Sequence, residues 1–501
     1  MDSAGRGGRG LKSGPSLKGR FGAAVALTIA FYTLALVIAA GLLAAAILPW
    51  VFNGHNNLWV TVTGVLLAGS ILWAILPRRL PFSAPGVRLT RETQPRLLAV
   101  IDEEAEACGE RVPEEVYATF EVNAAVLEVN RRRRVMIVGL PLLHLVSERG
   151  LRAVIAHEFG HYAGGDTKLG PWIFRTRAAI GRTIGQLSSE DGDEGWTQQA
   201  VRAPFIWYGK AFLRITNSIS RREEFAADAR AARRGGREVY SETLRRLEAY
   251  APAFDAYWAN EVAPLLSSGR RPPIGAGFSA FIRAETIDKA ANEHLRRELA
   301  EGRTNPYDSH PSLSERIAAL QDIPPGDRDT SPPAAALVDD PMALERAQAV
   351  HLFGAEAGEL PPVEWDAVGA EVYLERARRL VEAHGELLGC ATAGELDSVV
   401  DQLGRVAGEL QQREPELEVE HARDFAAALI SDGLLVALHE HGWSVEAPPA
   451  EPVLCRRGDD RVPPHAVVHD LREGRLSGGA WRECAQHLGI AGLRLSVAVA
   501  R

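Results

Sequence analysis

Cysteine is scarce in this chain. The 501 residues hold four, Cys108, Cys390, Cys455 and Cys484, far apart and with no C-x-x-C pair. That excludes a disulfide framework and a thiolate metal site, and it suits a reducing compartment with each thiol free and buried. An excess of positive charge is also missing. The net charge is −9, so no nucleic-acid partner is indicated. No internal repeat is visible, which excludes a solenoid. Charge of either sign is absent from two long stretches, Phe21 to Phe52 and Leu58 to Leu76. The first is longer than the roughly 20 residues that cross the hydrocarbon core of a bilayer as a helix, and the second is about that length.

The loop between these stretches, Asn53 to Asn57, has no Lys or Arg, whereas both flanks are basic. Residues 1–20 are Gly- and Arg-rich, read as a disordered tail, and carry Arg6, Arg9, Lys12, Lys18 and Arg20; Arg78 and Arg79 follow the second stretch. The positive-inside rule places both flanks, and hence the rest of the chain, in the cytoplasm. The alternative for the first stretch is a signal peptide cleaved at Ala44-Ala45-Ala46. Its apolar run far exceeds a signal core of about 7–15 residues, and Arg78-Arg79 would face the cytoplasm even then.

What the chain does have is His157-Glu158-Phe159-Gly160-His161, an H-E-x-x-H pattern inside an apolar-periodic run. On a helix the two histidines are four residues apart, share a face and are offset by about 6 Å along the axis. Two imidazoles so placed converge on one Zn²⁺ at ~2.0–2.1 Å. Glu158 lies off the ligand face but within reach of the metal's open position, where a general base meets a water. The bland alternative is a helix with two surface histidines. Gly164-Gly165 supply a stop signal after the helix.

Around this motif the periodicity changes. Thr93 to Cys108 reads as an amphipathic helix. Val116–Phe120, Ala125–Val129 and Val135–Val138 read as three short strands, the last two joined by Asn130 to Arg134. The four arginines of that turn are either solvated or in contact with anionic lipid. Leu140 to Tyr162 reads as one helix containing the metal motif. Between Gly165 and Asn217 lies a long insertion. Within it, Pro204 to Ser220 is amphipathic, with a polar side to which Arg202, Lys210, Arg214 and Arg221 in and beside it contribute, too cationic for a span. It either lies on the membrane surface or faces a core. Residues 324–333, Pro-Pro-Gly-Asp-Arg-Asp-Thr-Ser-Pro-Pro, form a breaker-rich linker. Beyond it, Met342–Phe353, Val363–Leu388, Ala393–Leu410 and residues 415–440 look helical. The pairs His439/His441 and His465/His469 read as surface residues rather than metal ligands.

A zinc hydrolase needs a third protein ligand. A further helix, expected to open at Ser220 and close at Gly235-Gly236, carries Glu224 and Asp228 on one face. Spacing alone fits a metal ligand with a second acid behind a histidine. It fits equally a solvated acidic pair balanced by Arg221 and Arg222. The combination of H-E-F-G-H, then Ser220-Arg221-Arg222-Glu223-Glu224-Phe225-Ala226-Ala227-Asp228, then Asn305 to Pro311 with Arg316-Ile317, resembles the HtpX-like membrane zinc metallopeptidases, relatives of the CaaX prenyl endopeptidases. The resemblance covers roughly residues 20–320.

This resemblance implies that Glu224 is the third zinc ligand and that Asp228 supports the ligands from behind. It implies that Asn123-Ala124 lies on the edge strand that pairs with substrate backbone. His310 then sits near the metal, in contact with the transition state or as a switchable fourth ligand, and Asp166 falls where the family often has an acid after the zinc helix. The family's usual third and fourth spans are replaced here by the cation-bearing insertion, and residues after the linker match nothing in it.

The expected fold is α+β: two N-terminal transmembrane helices, a zincin-like metallopeptidase domain with a small sheet and an active-site helix, and a mostly helical C-terminal region. The divisions are a basic tail at 1–20, a membrane hairpin at 21–79, the peptidase domain at 80–323, the linker at 324–333 and a C-terminal region at 334–501. The expected function is a membrane-anchored, zinc-dependent endopeptidase with one Zn²⁺ per chain. It would cleave unfolded or extended segments at the cytoplasmic face of the bacterial inner membrane, in quality control. Its partners are protein substrates and the lipid bilayer; no feature sets an oligomeric state. The rivals are a CaaX-type processing protease, whose many-span chamber two spans cannot build, and a non-catalytic scaffold braced by zinc. A third reading gives the work to residues 340–501, with the peptidase domain regulating them.

Overall fold

The structure, a computed structural model, describes residues 17–54, 57–76, 82–129, 133–163, 170–186, 196–305, 307–308, 310–413 and 418–496. Arg6, Arg9, Lys12, Arg78 and Arg79, on which the expected orientation rests, lie outside these residues, as do Asp166, Gly164-Gly165 and residues 130–132 of the arginine turn.

Helices α1 (Leu17–Asn53) and α2 (Leu58–Ile75) form the apolar hairpin. Asn57 caps α2 by accepting a hydrogen bond from Trp59 N at 2.9 Å. A Cβ on Gly64 would lie 3.1 Å from Ala46 Cβ, so the two helices approach closely. Only 17% and 28% of their most apolar windows are buried. Val51, Phe52, Trp59, Leu66 and Trp73 face outward. So much contiguous apolar surface calls for a lipid environment.

A four-stranded sheet follows, with helix α3 (Pro95–Ala107) between its first two strands: β1 (Val87–Leu89), β2 (Glu115–Thr119), β3 (Ala124–Val129) and β4 (Arg133–Gly139). The spatial order is β1-β2-β4-β3. The chain turns out from β2 into β3, then returns as β4 between them, parallel to β2 and antiparallel to β3. β4 is central because its Val, Met and Ile side chains are almost all buried. β3 is left as an end strand. Arg134 and Arg133 pair with Glu110 at 2.8 Å and Glu115 at 3.6 Å, so these two arginines of the turn face protein acids rather than lipid.

The expected helix over 140–162 is two helices, α4 (Leu140–Leu145) and α5 (Glu148–Ala163). Val146 takes an extended conformation, and Ser147 Oγ accepts from Gly150 N at 2.9 Å, restarting the helix. Next come α6 (Gly170–Gln186) and α7 (Trp196–Gly235), a single 40-residue helix with no break at Ser220. Phe205, Tyr208 and Phe212 of α7, with Ala179 and Ile180 of α6, pack onto Phe31, Ala35, Ala68 and Ile71 of the hairpin. Of the two readings of Pro204 to Ser220, the core-facing helix is the one that forms: its apolar side chains share a cluster with α6 and the hairpin.

Gly236, at φ +96°, turns α7 into α8 (Arg237–Tyr250), a conformation other residues rarely adopt. The peptidase region is completed by α9 (Ala253–Tyr257), α10 (Ala263–Ser267), α11 (Ile274–Phe281), α12 (Glu285–Glu301) and α13 (Leu313–Ala319). The Pro-rich segment 324–333 is strapped down rather than free. Glu148 N donates to Pro332 O at 2.8 Å and Glu238 N to Pro325 O at 3.0 Å.

Helix α14 (Pro341–Phe353) then packs into the peptidase core. Leu337, Val338 and Leu344 belong to the same cluster as Met136, Ile155 and Phe159. A second core runs from Leu374 to Leu495. Helices Leu374–His384, Leu403–Arg413 and Val419–Glu440 build it, with an unexpected sheet of β5 (Ser444–Glu446), β6 (Leu454–Arg457) and β7 (Asp460–Val462). His439 and His441 each contact a backbone carbonyl and His465 pairs with Asp432, none in a metal cluster among the described residues. The cysteines are free, but Cys390 and Cys484 are exposed, contrary to expectation.

Candidate metal centre

Small residues bring the two motif helices together. A Cβ on Gly160 would lie 3.0 Å from Ala227 Cα and Cβ, and one on Gly235 would lie 2.8 Å from Ala153 Cβ. α5 and α7 therefore run antiparallel at very short range. The face of α7 carrying Glu224 and Asp228 is pressed against the face of α5 carrying His157 and His161. Glu224 and Asp228 are 4% and 0% exposed, so they are not a solvated acidic pair.

Three donors meet there. His157 Nε2 and His161 Nε2 are 3.2 Å apart, and each is 3.5 Å from one oxygen of Glu224. Bonds of ~2.0–2.1 Å at tetrahedral angles put ligand atoms about 3.3 Å apart. Glu224 Oε2 is buried and accepts no hydrogen bond. A buried carboxylate oxygen that faces imidazole nitrogens and Arg316 but is bonded to none of them is well satisfied by a cation at the centre. The donor set therefore fits a small divalent metal. Glu158 offers a carboxylate oxygen within 4.8 Å of both imidazoles.

Behind His157 stands a polar network. Its Nδ1 lies 3.1 Å from Asp228 Oδ1 and 2.9 Å from Tyr240 OH. Tyr240 OH donates to Asp228 Oδ1 at 2.7 Å, so it is free to accept from Nδ1–H. Arg316 clamps Asp228 with two bonds, 2.9 and 2.6 Å. A proton fixed on Nδ1 leaves the Nε2 lone pair directed at the centre. Arg316 stood in the sequence motif without a role. Tyr240, sixteen residues after Glu224, belonged to no recognisable pattern and was missed.

Electrostatics follow from this packing. Burial pushes Glu158 up to about 7, with the Glu224 charge adding to it and His157 opposing. Burial alone would lower His157, but Asp228, Glu224 and Glu158 outweigh it and raise it to about 9. Burial wins at His161, lowered to about 4. Burial works against ionised Glu224 too, yet contacts with His157 and His310 hold it well below the usual carboxylate range. Asp228 is held at about 2, Arg316 overcoming the effect of burial.

His310 Nδ1 lies 3.2 Å from Glu224 Oε2, so the structure brings this residue to the centre as well. Asn123 precedes β3 and Ala124 opens it, on the end strand of the sheet. A cleft of about 870 Å³ lined by His144, Arg246 and Asp329 is lined by none of the metal-cluster residues.

The sequence family "Peptidase family M48" matches residues 91–323, a span that includes every donor just described. The Protease HtpX of Stenotrophomonas maltophilia (strain K279a) is 31% identical over 244 residues, covering 46% of this chain and 73% of that protein. The chain belongs to the HtpX-like M48 metallopeptidase family. The Protease HtpX of Xanthomonas axonopodis pv. citri (strain 306) is 27% identical over 269 residues, 50% of this chain and 82% of its own length. As an HtpX-like protein the chain is a membrane protease, and its two apolar helices are consistent with transmembrane helices. The M48 match ends at the strap, so α14 and everything after it lie outside the matched family region.

Proposed function

We propose that this protein is a zinc-dependent endopeptidase that cleaves extended or unfolded protein segments at the cytoplasmic face of the bacterial inner membrane, in the service of quality control. The observation that carries the chemistry is the triangle of His157 Nε2, His161 Nε2 and Glu224, spaced as ligands of one tetrahedral ion, with Glu158 beside it. His157, His161 and Glu224 hold the metal. Mixed imidazole and carboxylate donors also accept Mn²⁺ or Co²⁺, and availability favours zinc. A bound Zn²⁺ lowers the pKa of water towards ~7 and polarises the scissile carbonyl.

The chain's own residues do the rest. Glu158 takes a proton from the attacking water and passes it to the leaving amine. Its raised pKa, about 7, suits a group that must both accept and donate near neutrality. His310 stabilises the oxyanion or gates the site. Asp228 orients His157. The substrate adds as a strand beside Asn123-Ala124, on the open side of β3, where main-chain hydrogen bonds give affinity with weak sequence preference. The basic flanks of the hairpin support the cytoplasmic orientation.

The decisive comparison is cleavage of unfolded casein by the parent chain and by Glu158→Gln at equal zinc content. A loss of at least about 100-fold is expected, from removal of general-base catalysis. Equal rates would remove the general-base role, and no turnover by either protein would favour the metal-braced scaffold.

A further inference from the structure

One face of α7 carries more than the metal ligand. Asn217, Arg221, Glu224 and Asp228 fall at spacings of four, three and four residues, so they line a single stripe of the helix. The last two belong to the metal centre. The first two grip the segment that carries His310. Asn217 Nδ2 donates to the carbonyl of Tyr307. One turn on, Arg221 Nη1 donates to the carbonyl of Asp308 at 2.9 Å.

The His310 side chain is 65% exposed, so packing does not place it. The described residues of its segment form no helix or strand, only a small turn in which Asp308 N donates to Asn305 O and Tyr307 N to Asn305 Oδ1. Two bonds from α7 hold the backbone before His310, while buried Pro311 and Ser312, the latter bonded to Thr304 Oγ1 at 2.9 Å, lead into α13 after it. Asn217 is 1% exposed and uses both ends of its amide. Its Oδ1 accepts from Arg177 of α6, which also donates to Thr216 Oγ1 at 3.2 Å. α6 in turn is tied to the membrane hairpin: Thr176 and Thr28 hydroxyls are 3.0 Å apart, and Arg182 Nε donates to Ala74 O at 3.2 Å.

We propose that Asn217 is a positioning residue: oriented by Arg177, it holds the Tyr307–Asp308 backbone so that His310 stands against Glu224, and it links that placement to the helices packed on the membrane hairpin. This rests on the proposed function only for the consequence on turnover; the anchoring stands apart from it. It also accounts for the unbroken α7, because a hinge at Ser220 would separate the Asn217 grip from Arg221 and from the ligand whose partner they place.

The test uses the full-length protein in detergent, with Asn217→Asp as the main variant. Aspartate keeps the acceptor for Arg177 but cannot donate to Tyr307 O. Hydrogen exchange of peptides covering 302–313 should rise roughly tenfold, while α3 peptides stay unchanged. Metal content should be that of the parent. With casein, kcat should fall about 5- to 20-fold at constant KM, and the same change in a His310→Ala background should cost nothing further. Unchanged exchange at 302–313 would overturn the proposal. So would a kcat loss that multiplies with that of His310→Ala. Exchange rising in α3 as well would make Asn217 a general structural residue and overturn it too. A parent that cleaves no casein would count against the proposed function, and the exchange measurement would still decide the anchoring.

Discussion

Gly160 stands against Ala227 so closely that a side-chain carbon on the glycine would lie 3.0 Å from the alanine's Cα. This contact sets the distance between the imidazole pair and Glu224, because Gly160 is flanked by Phe159 and His161 and Ala227 by Ala226 and Asp228. Backbone on one side cannot yield as a flexible side chain does. Gly160→Val should therefore push α5 from α7, open the 3.5 Å separations to Glu224 and weaken metal binding by roughly tenfold or more. Overpacking should also lower stability by about 1–3 kcal/mol. Metal analysis after gel filtration checks this; full retention of metal would show that the helix spacing does not govern the site.

Tyr240 is the least obvious member of the centre. Its hydroxyl bridges Asp228 and His157 at 2.7 and 2.9 Å, and burial holds it far above its ordinary pKa, so it stays protonated and donates. Tyr240→Phe keeps the ring in its pocket with Ala153 and Leu244 but removes that bridge. Metal affinity should fall about 10- to 100-fold, as for other losses behind a ligand. Arg316→Met should do more harm, leaving Asp228 buried without its cation at a cost of about 3–5 kcal/mol. Competition with a chelator measures the first, and denaturant unfolding the second.

The ligand set was legible because helical spacing alone brings His157 and His161 onto one face, and the resemblance supplied Glu224. The sheet was legible from the short, apolar, β-branched and aromatic runs Val116–Phe120 and Val135–Val138. Other features were not, for identifiable reasons. Ser220 followed by Glu223 imitates a helix start, yet α7 continues because Phe205, Tyr208 and Phe212 already anchor its first half on the hairpin. The cations Arg202, Lys210, Arg214 and Arg221 left a surface helix and a core-facing one both open; Phe205, Tyr208 and Phe212 of the same helix are buried against α6 and the hairpin. Tyr240 carries no pattern because its role is set by residues distant in sequence, and Gly160, though inside H-E-F-G-H, gives no sign there of the Ala227 it meets. The strands β5 and β7 are three residues each, too short for alternation to register.

Metal loading should release protons. In the cation-free chain His157 is raised to about 9, so at pH 7.5 it is protonated, whereas His161, lowered to about 4, is already neutral. Binding needs the Nε2 lone pair of His157, so about one proton should leave. Affinity should then rise about tenfold per pH unit below 9 and level off above it. The stability of the cation-free protein follows the same sign. The contribution of His157 is complete below its ordinary 6.5 and is lost as pH rises through about 9. Titration calorimetry in two buffers of different ionisation enthalpy counts the protons. A count of zero, with affinity constant between pH 7 and 8.5, would contradict this picture of His157.

The region beyond the M48 match should be needed for the peptidase fold, and Glu345 gives the sharpest test. This residue of α14 is buried and accepts from Ile274 N at 2.7 Å and Gly275 N at 2.8 Å, the first amides of α11. Four amides at a helix start have no partner within the helix, and a carboxylate there also meets the favourable end of the helix dipole. Gln348, one turn on, accepts from Val87 N at 3.0 Å at the edge of the sheet. Glu345→Ala leaves two buried amides unpaired and should cost about 2–4 kcal/mol. α11 in turn packs on α4, the helix leading into α5, through Gly275, whose missing side chain makes room for His144. Loosening α11 should therefore lower proteolysis at saturating metal along with stability. Ending the chain at residue 333 should do the same more severely, because Leu337, Val338 and Leu344 leave the shared core. Ending it at 373, which retains α14, should preserve turnover of casein. If the chain ending at 333 matched the parent in both unfolding midpoint and turnover, the peptidase region would be an independent module and α14 merely a neighbour.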